Sequence, residues 1–226
     1  MAASPFLKIC GLQTVAEARD ALAAGATALG VLAGLTHRAE DEVSSDIART
    51  ILQAVPNGVE TVLVTHLTDP VRIAALAEAV GARAIQVHGD MAPGGVRALR
   101  GMAGGRRLIK AVHVSAPGHA ADATLERGRA YAGEVDAILL DSRTSERLGG
   151  TGRTHDWTIS ARVVAALAPL PFYLAGGLTP DNVAAAIGRV RPAGVDVNSG
   201  VEDAAGRKDP VRLRAFLAAA RSALAG

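Results

Sequence analysis

Residues 79–88, Ala-Val-Gly-Ala-Arg-Ala-Ile-Gln-Val-His, contain the pattern that decides the fold. It predicts that an Ala-rich helix ends, that Gly81 closes it in the left-handed conformation, and that an apolar strand begins within three residues. The same order of helix, glycine and strand recurs at three other glycines, Gly25, Gly133 and Gly194. Successive glycines are 56, 52 and 61 positions apart. Each interval therefore holds two βα units of roughly thirty residues.

This alternation continues through the whole chain. Eight short apolar runs have the length and composition of parallel strands that helices cover on the outside. The predicted strands are Phe6–Cys10, Ala28–Leu32, Thr61–Thr65, Ala84–His88, Arg107–Val112, Ala137–Asp141, Phe172–Ala175 and Gly194–Asn198. The clearest predicted helices are Thr14–Ala24, Ser45–Val55, Pro70–Val80, Trp157–Leu167, Pro180–Val190 and Pro210–Leu224. The pattern predicts an α/β fold, a single-domain (β/α)8 TIM barrel over residues 1–226, with a doubly wound open sheet as the alternative.

Composition argues against several classes of protein. Hydrophobic residues make up 49% and charged residues 20% of the chain, which provides enough apolar material for a large core. The net charge of +2 is scattered and aromatic residues are 3%, so we expect no nucleic-acid partner. A single cysteine, Cys10, excludes an intramolecular disulfide. We expect no signal peptide and no membrane partner, and we predict a cytoplasmic protein.

Two residues at predicted strand ends have the chemistry of a general base and a general acid. A barrel places its active site at the carboxyl ends of its strands, where Cys10 and Asp141 lie. A thiolate can remove a proton from carbon, and a carboxylic acid can donate one to oxygen. Cys10 alone is more often a small core residue, but a carboxylate that ends an apolar run rarely serves packing. Together they indicate proton transfer on a small-molecule sugar phosphate.

Glycines follow the seventh and eighth predicted strands, where barrels commonly bind phosphate. These are Gly176 and Gly177 in one loop and Ser199 and Gly200 in the other. Glycine lets backbone N–H groups approach an anion, although it can also serve only the turn. Two such loops at these strands favour a phosphate site. The segment 149–152, Gly-Gly-Thr-Gly, matches no nucleotide-binding motif and suits either a mobile lid or a solvated loop.

Arginine and histidine side chains at other strand ends are weaker candidates. Arg38 can hold a carboxylate with two parallel hydrogen bonds, although a loop arginine is more often a solvated surface charge. His66, His88 and His113 end three consecutive predicted strands and can converge. A zinc or iron site formed by them is the less favoured alternative, because their spacing shows no obvious carboxylate partner, and we predict no metal site.

Several strings, taken jointly and in order, resemble the phosphoribosylanthranilate isomerase family of tryptophan biosynthesis. The matching segments are 8–11 (Lys-Ile-Cys-Gly), 86–90 (Gln-Val-His-Gly-Asp), 139–142 (Leu-Leu-Asp-Ser), 149–157, 175–182 and 194–202. They extend from the first strand to the last loop. The resemblance implies an eight-stranded barrel and a cofactor-free Amadori-type isomerisation of N-(5-phosphoribosyl)anthranilate. The product would be 1-(2-carboxyphenylamino)-1-deoxyribulose 5-phosphate.

The resemblance also implies roles for individual residues. Asp141 would be the general acid that opens the ribose ring, and Cys10 the general base that removes the proton from C2. Arg38 would bind the anthranilate carboxylate. The site would be lined by Gln86, His88 and Asp196, and the phosphate would be held by Gly176, Gly177, Ser199 and Gly200.

Two segments depart from the family pattern near the expected anthranilate end. Residues 36–38 read Thr-His-Arg where the family usually has Ser-Pro-Arg, and Thr65-His66 replaces the usual Val-Asn. Two alternatives therefore stay open: an isomerase for another phosphoribosyl amine or related ribosyl phosphate, and a non-catalytic barrel that binds a phosphorylated metabolite. We expect a monomer or a homodimer.

Overall fold

A computed structural model describes residues 5–36, 39–114, 120–142 and 155–226. Eight parallel strands form a closed barrel in chain order, and β8 pairs with β1. The strands are β1 Phe6–Ile9, β2 Ala28–Leu32, β3 Glu60–Thr65, β4 Ala84–Val87, β5 Arg107–Val114, β6 Ala137–Ser142, β7 Phe172–Leu174 and β8 Gly194–Val197. The helices are α1 Val15–Ala23, α2 Ser45–Gln53, α3 Pro70–Val80, α4 Pro93–Met102, α5 Ala120–Tyr131, α6 Trp157–Ala166, α7 Val183–Val190 and α8 Pro210–Ala225, with a short 3-10 helix at Ser199–Val201.

The predicted TIM barrel is confirmed, and its eight strands lie where the apolar runs are. Two helices, α4 and α5, are not among the clearest predicted helices, and α7 begins at Val183 rather than at Pro180. The reason for the late start is a turn in which the Asn182 side chain accepts a hydrogen bond from the Thr179 N–H. That the whole chain of 226 residues forms one domain stays a prediction.

The glycines that suggested the repeat serve three different purposes. Gly25 and Gly81 have φ of +98° and +71°, as predicted for left-handed helix ends. Gly133 is not left-handed; it lies in a turn closed by the Glu134 N–H and the Tyr131 carbonyl. The prediction that Gly194 ends a helix is also wrong, because Gly194 lies in β8. A side chain there would overlap the carbonyl oxygen of Phe6 on the neighbouring strand.

Apolar side chains form two separate layers. Outward-facing strand residues such as Leu7, Ile9 and Leu29 pack against the helices in the larger cluster. Inward-facing residues, alternating with them along each strand, form a smaller cluster inside the barrel that includes Phe6, Cys10, Val62, Val64, Ala111 and Leu139. The barrel interior therefore contains Cys10 and the other inward positions at the carboxyl ends of the strands.

Within residues 5–36, 39–114, 120–142 and 155–226, no helix is long and apolar enough to cross a bilayer.

Candidate active site

A cavity of about 620 Å³ opens at the carboxyl ends of the strands. Seven of the eight strands, all but β5, contribute to its wall, directly or through the loops that follow them. Its polar lining from the strand ends comprises Cys10, His66, Gln86, His88, Asp141, Asp196, Asn198 and Ser199, with Gly176, Gly177 and Gly200 beside them. This is the volume expected for a small-molecule site, at the end of the barrel where such sites occur.

A buried ion pair lies beside the cysteine. The Lys8 ammonium donates to Asp196 Oδ2 at 2.7 Å, and Lys8 is completely buried. Lys8 lies on β1 and Cys10 directly after it, two residues further along the extended chain, so their side chains face inward together. A Cβ placed on Gly30 of β2 would lie 3.1 Å from Lys8 Nζ and 3.2 Å from Cys10 Sγ. Gly30 therefore leaves the space that the amine and the thiol share.

The charges in this group act on each other. Burial raises the pKa of the Cys10 thiol to about 11, although the Lys8 charge opposes that rise. Burial disfavours the charged amine of Lys8, but Asp196 and Cys10 outweigh that effect and raise its pKa. The site thus holds a fixed positive charge next to a protonated thiol, which favours the thiolate whenever the proton leaves.

Asp141 has the environment of a carboxylic acid that can stay protonated near neutral pH. Burial, with the nearby Asp196 charge, raises its pKa to about 7. Its Oδ1 accepts a hydrogen bond from the Ser142 N–H at 2.7 Å, and His88 Nε2 lies 3.4 Å from its Oδ2. Gly176 has a φ of +84°, and a Cβ there would lie 2.6 Å from Asp141 Oδ1. Glycine at this position therefore leaves room for the carboxylate.

Three histidine rings form a row across one side of the barrel mouth. The rings of His66 and His88 stack with centroids 5.3 Å apart, and His113 meets His88 edge-on at 4.8 Å. Gln86 Nε2 lies 3.3 Å from His88 Nδ1. Burial, with the neighbouring rings and cations, holds the pKa of His88 well below its usual value. His88 is therefore neutral in the free protein.

The two glycine-containing loops meet at the other side of the cavity. The backbone N–H groups of Gly177, Ser199 and Gly200 donate to no acceptor within the ranges that the structure describes. A Cβ at Gly200 would overlap the Leu178 carbonyl oxygen, so the two loops approach each other as closely as the backbone allows. Backbone N–H groups of glycine-containing loops that lack an acceptor within the protein are donors that commonly bind phosphate.

Comparisons with known proteins show the family of this chain. The sequence profile of the N-(5'-phosphoribosyl)anthranilate (PRA) isomerase family matches residues 7–219. The chain belongs to this family. The N-(5'-phosphoribosyl)anthranilate isomerase of Haloferax volcanii is 41% identical over 218 residues, covering 96% of this chain and 93% of its own. The phosphoribosylanthranilate isomerase family is a family of isomerases, and this chain is an enzyme of that class.

Solved structures of PRA isomerases have the same fold. The crystal structure of the Thermotoga maritima enzyme superposes with a TM-score of 0.82 at 33% identity, covering 96% of this chain and 98% of its own. Another PRA isomerase was crystallised with reduced 1-(o-carboxyphenylamino)-1-deoxyribulose 5-phosphate (TM-score 0.77, 30% identity, 96% and 98% covered). A third structure is of monomers generated from the dimeric T. maritima isomerase (TM-score 0.77, 30% identity, 96% and 98% covered).

The residues predicted from the sequence of this PRA isomerase family member come together, with one exception. Arg38 lies outside the described residues, as do His37 and the glycine segment 149–152. The other nine line the cavity: Cys10, Asp141, Gln86, His88, Asp196, Gly176, Gly177, Ser199 and Gly200. The nine residues therefore lie at one cavity, and their roles stay predictions.

Sequence reasoning missed two lysines. The sequence predicts Lys8 in the first strand and in the family-like segment 8–11 but gives it no role, although a charged residue two positions before Cys10 is a signal that both side chains face the same way. Lys208 Nζ lies 2.5 Å from both Asn198 Oδ1 and Glu202 Oε1, and Asn198 also donates to Asp41 at 2.6 Å. Nothing in the sequence near Lys208 indicates this long-range network, which holds the loop after β8.

Proposed function

We propose that this protein isomerises N-(5'-phosphoribosyl)anthranilate to 1-(2-carboxyphenylamino)-1-deoxyribulose 5-phosphate in tryptophan biosynthesis, without a cofactor. One observation carries the proposal. A single cavity is lined by a thiol beside a buried ammonium, by a carboxyl group whose pKa is about 7, and by two glycine-containing loops whose backbone N–H groups have no acceptor among the described residues. These are the three elements that an acid–base reaction on a sugar phosphate requires.

In the first step Asp141 acts as the general acid. Its proton passes to the ribose ring oxygen, the bond from C1 to that oxygen breaks, and the C1–N bond becomes a protonated Schiff base. The buried position of Asp141 supports this role, because its pKa of about 7 leaves a large fraction of the carboxyl group protonated at neutral pH.

In the second step Cys10 acts as the general base. The thiolate takes the C2 proton, the electron pair of that C–H bond forms the C1–C2 double bond, and the Schiff-base nitrogen becomes neutral. The resulting enolamine tautomerises to the ketone. Lys8, paired with Asp196, supports this role because its positive charge stabilises the thiolate. Lys8 is a positioning residue in this scheme, since it acts through Cys10.

The remaining residues bind the substrate. Gly176, Gly177, Ser199 and Gly200 would surround the phosphate at the loops after β7 and β8. Gln86 Oε1 and Asp196 Oδ1 are buried acceptors without a hydrogen-bond donor among the described residues, and they suit sugar hydroxyl groups. His88 would line the site beside Asp141. Arg38 would bind the anthranilate carboxylate.

The test is turnover of N-(5'-phosphoribosyl)anthranilate generated in situ, followed as loss of its fluorescence. We expect Cys10→Ala and Asp141→Asn each to lower the rate by roughly 10²–10⁴-fold, the usual contribution of a general acid or base. Asp136→Asn is the matched control. Asp136 directly precedes β6, the strand that contains Asp141, and it lies at the other end of that strand, outside the cavity. No turnover by folded wild-type protein would refute the activity; full turnover by Asp141→Asn would refute the general acid alone.

A second candidate is isomerisation of another phosphoribosyl amine, and His66 is the observation that favours it. This ring lines the cavity where the family usually has asparagine, so the aglycone end differs. Thermal shift separates the two. A ligand that binds the folded state raises the melting temperature. If the substrate is N-(5'-phosphoribosyl)anthranilate, the product analogue that carries the anthranilate ring should raise the melting temperature more than ribose 5-phosphate does. A non-catalytic barrel would show binding without turnover.

The assembly and the location belong to the same proposal. The dimeric T. maritima relative is compatible with the predicted monomer or homodimer. The lack of nucleic-acid and membrane partners and the cytoplasmic location stay predictions.

A further inference from the structure

Consecutive strands β4, β5 and β6 place two histidines and a carboxylate together inside the barrel. One ring nitrogen of His88, one of His113 and one carboxylate oxygen of Asp141 all lie within 4.8 Å of one another. All three side chains are buried. The mechanism proposed above uses only Asp141 and His88 of this group, and it gives His113 no task.

We propose that His88, His113 and Asp141 bind one divalent transition-metal ion of the zinc type. Imidazole nitrogen and carboxylate oxygen are the donors that Zn²⁺ accepts, and three protein ligands leave a position open to the cavity. Ligand atoms about 2.0–2.2 Å from a tetrahedral zinc ion lie about 3.4 Å apart. Binding of the ion therefore requires the three ligand atoms, which lie within 4.8 Å of one another, to move closer together by up to about 1.4 Å.

The neighbours of both rings can orient them as ligands. His113 Nε2 lies 3.2 Å from the His88 carbonyl oxygen, and in the tautomer that donates to this oxygen Nδ1 is the nitrogen that carries the lone pair. Gln86 lies beside His88 Nδ1, and Gln86 Oε1 has no donor among the described residues. A flip of that amide lets Oε1 accept from Nδ1–H, which turns the Nε2 lone pair towards Asp141. Metal-bound histidines almost always have such partners.

The bound ion would inhibit the isomerisation, and this consequence rests on the proposed function. A carboxylate that coordinates a metal cannot hold the proton that the general acid donates. The metal-bound protein is thus an inactive form of the enzyme. Binding of the ion itself is independent of which reaction the protein catalyses.

The direct test titrates metal-free protein with ZnCl₂ by calorimetry and, in parallel, with CoCl₂, whose visible absorption reports tetrahedral coordination. We expect one ion per chain. His113→Asn should weaken binding by roughly 100-fold, since loss of a direct ligand costs at least as much as loss of its orienting partner. Cys10→Ser is the control and should bind like wild type. Asp141→Asn, a second ligand variant, should also bind weakly.

Three results would overturn the site: no binding, binding unchanged in both folded ligand variants, or binding lost in Cys10→Ser. A melting curve for each variant establishes that it is folded. An activity arm then tests the consequence. Zn²⁺ should inhibit the wild type, EDTA should reverse the inhibition, and His113→Asn should keep its activity in Zn²⁺. Metal binding by a protein that shows no turnover would support the site and refute the proposed function.

Discussion

Lys8 and Asp196 are Cα partners across the β1–β8 seam that closes the barrel, and their side chains form a 2.7 Å ion pair in the interior. The exposed fraction is 0% for the Lys8 side chain and 7% for that of Asp196. Two charges removed from water are stable only while they remain paired. The pairing of β1 with β8 thus fixes the positive charge of Lys8 inside the barrel, two residues before Cys10.

The first prediction concerns the stability of this pair. Lys8→Met leaves the Asp196 carboxylate buried without its partner, and we expect it to lower the free energy of unfolding by about 3–5 kcal/mol. Lys8→Met combined with Asp196→Asn should recover much of that loss, because no uncompensated charge remains. Urea denaturation of both variants measures the difference. Equal stability of the single and double variants would contradict a buried ion pair.

The second prediction concerns the pH dependence of stability. The thiol of Cys10 has a pKa of about 11 in the folded protein, against an ordinary value of 9.0. Between pH 9 and 11 the unfolded chain therefore loses the thiol proton more readily, and stability falls as the pH rises. The loss should be on the order of 3 kcal/mol for a pKa difference of about two.

Cys10→Ser isolates this contribution, because every other titrating group is kept. We expect the difference in unfolding free energy between wild type and Cys10→Ser to be constant below pH 9. Above pH 9 the wild type should lose stability relative to Cys10→Ser. Denaturant titrations at several pH values between 7 and 11 measure it. A difference that does not change over this range would mean that the thiol titrates normally.

The third prediction concerns the pH dependence of catalysis in metal-free enzyme. The active form requires protonated Asp141 and ionised Cys10, yet the acid has the lower pKa, about 7 against about 11. The two pKa values differ by about four. Between pH 7 and 11, therefore, enzyme with protonated Asp141 and ionised Cys10 is a constant fraction of the total, on the order of 10⁻⁴. We expect kcat/KM to be level over that interval and to fall about tenfold per unit below pH 7.

Asp141→Asn tests which residue produces the acid limb. The variant has no carboxyl group at this position, so its residual kcat/KM should follow ionisation of Cys10 alone and rise continuously from pH 6 towards 11. The measurement is a pH–rate profile of each protein with EDTA present. An acid limb near pH 7 that persists in Asp141→Asn would assign that limb to another group.

Sequence patterns predicted the barrel because its elements repeat locally. The apolar run Ala28–Leu32 coincides with β2, and the left-handed Gly81 ends α3 as its position predicts. Contacts between residues that are far apart in the sequence carry no such signal. The nearness of Asp141 to His88 and His113 depends on the register of β4, β5 and β6, so the histidines lacked a visible carboxylate partner in the sequence. Lys8 was missed because its partner Asp196 is 188 residues away.

The last prediction concerns the phosphate loops. Gly200→Ala forces the loop after β8 away from the Leu178 carbonyl and misdirects the N–H groups of Ser199 and Gly200. Each hydrogen bond to a charged group contributes about 1.5–3 kcal/mol, so we expect KM to rise roughly 10- to 100-fold. Gly188→Ala on α7 is the matched control, because a Cβ there meets no atom within 4 Å.

The control should keep wild-type kinetics and gain roughly 0.5–1 kcal/mol of stability from its helical alanine. The readout is KM together with the rise in melting temperature that inorganic phosphate and ribose 5-phosphate produce. Both ligands should stabilise wild type and Gly188→Ala and leave Gly200→Ala nearly unchanged, because they share only the phosphate group. If Gly200→Ala responds to both ligands like wild type, the loop after β8 does not hold the phosphate, and the proposed phosphate site is wrong.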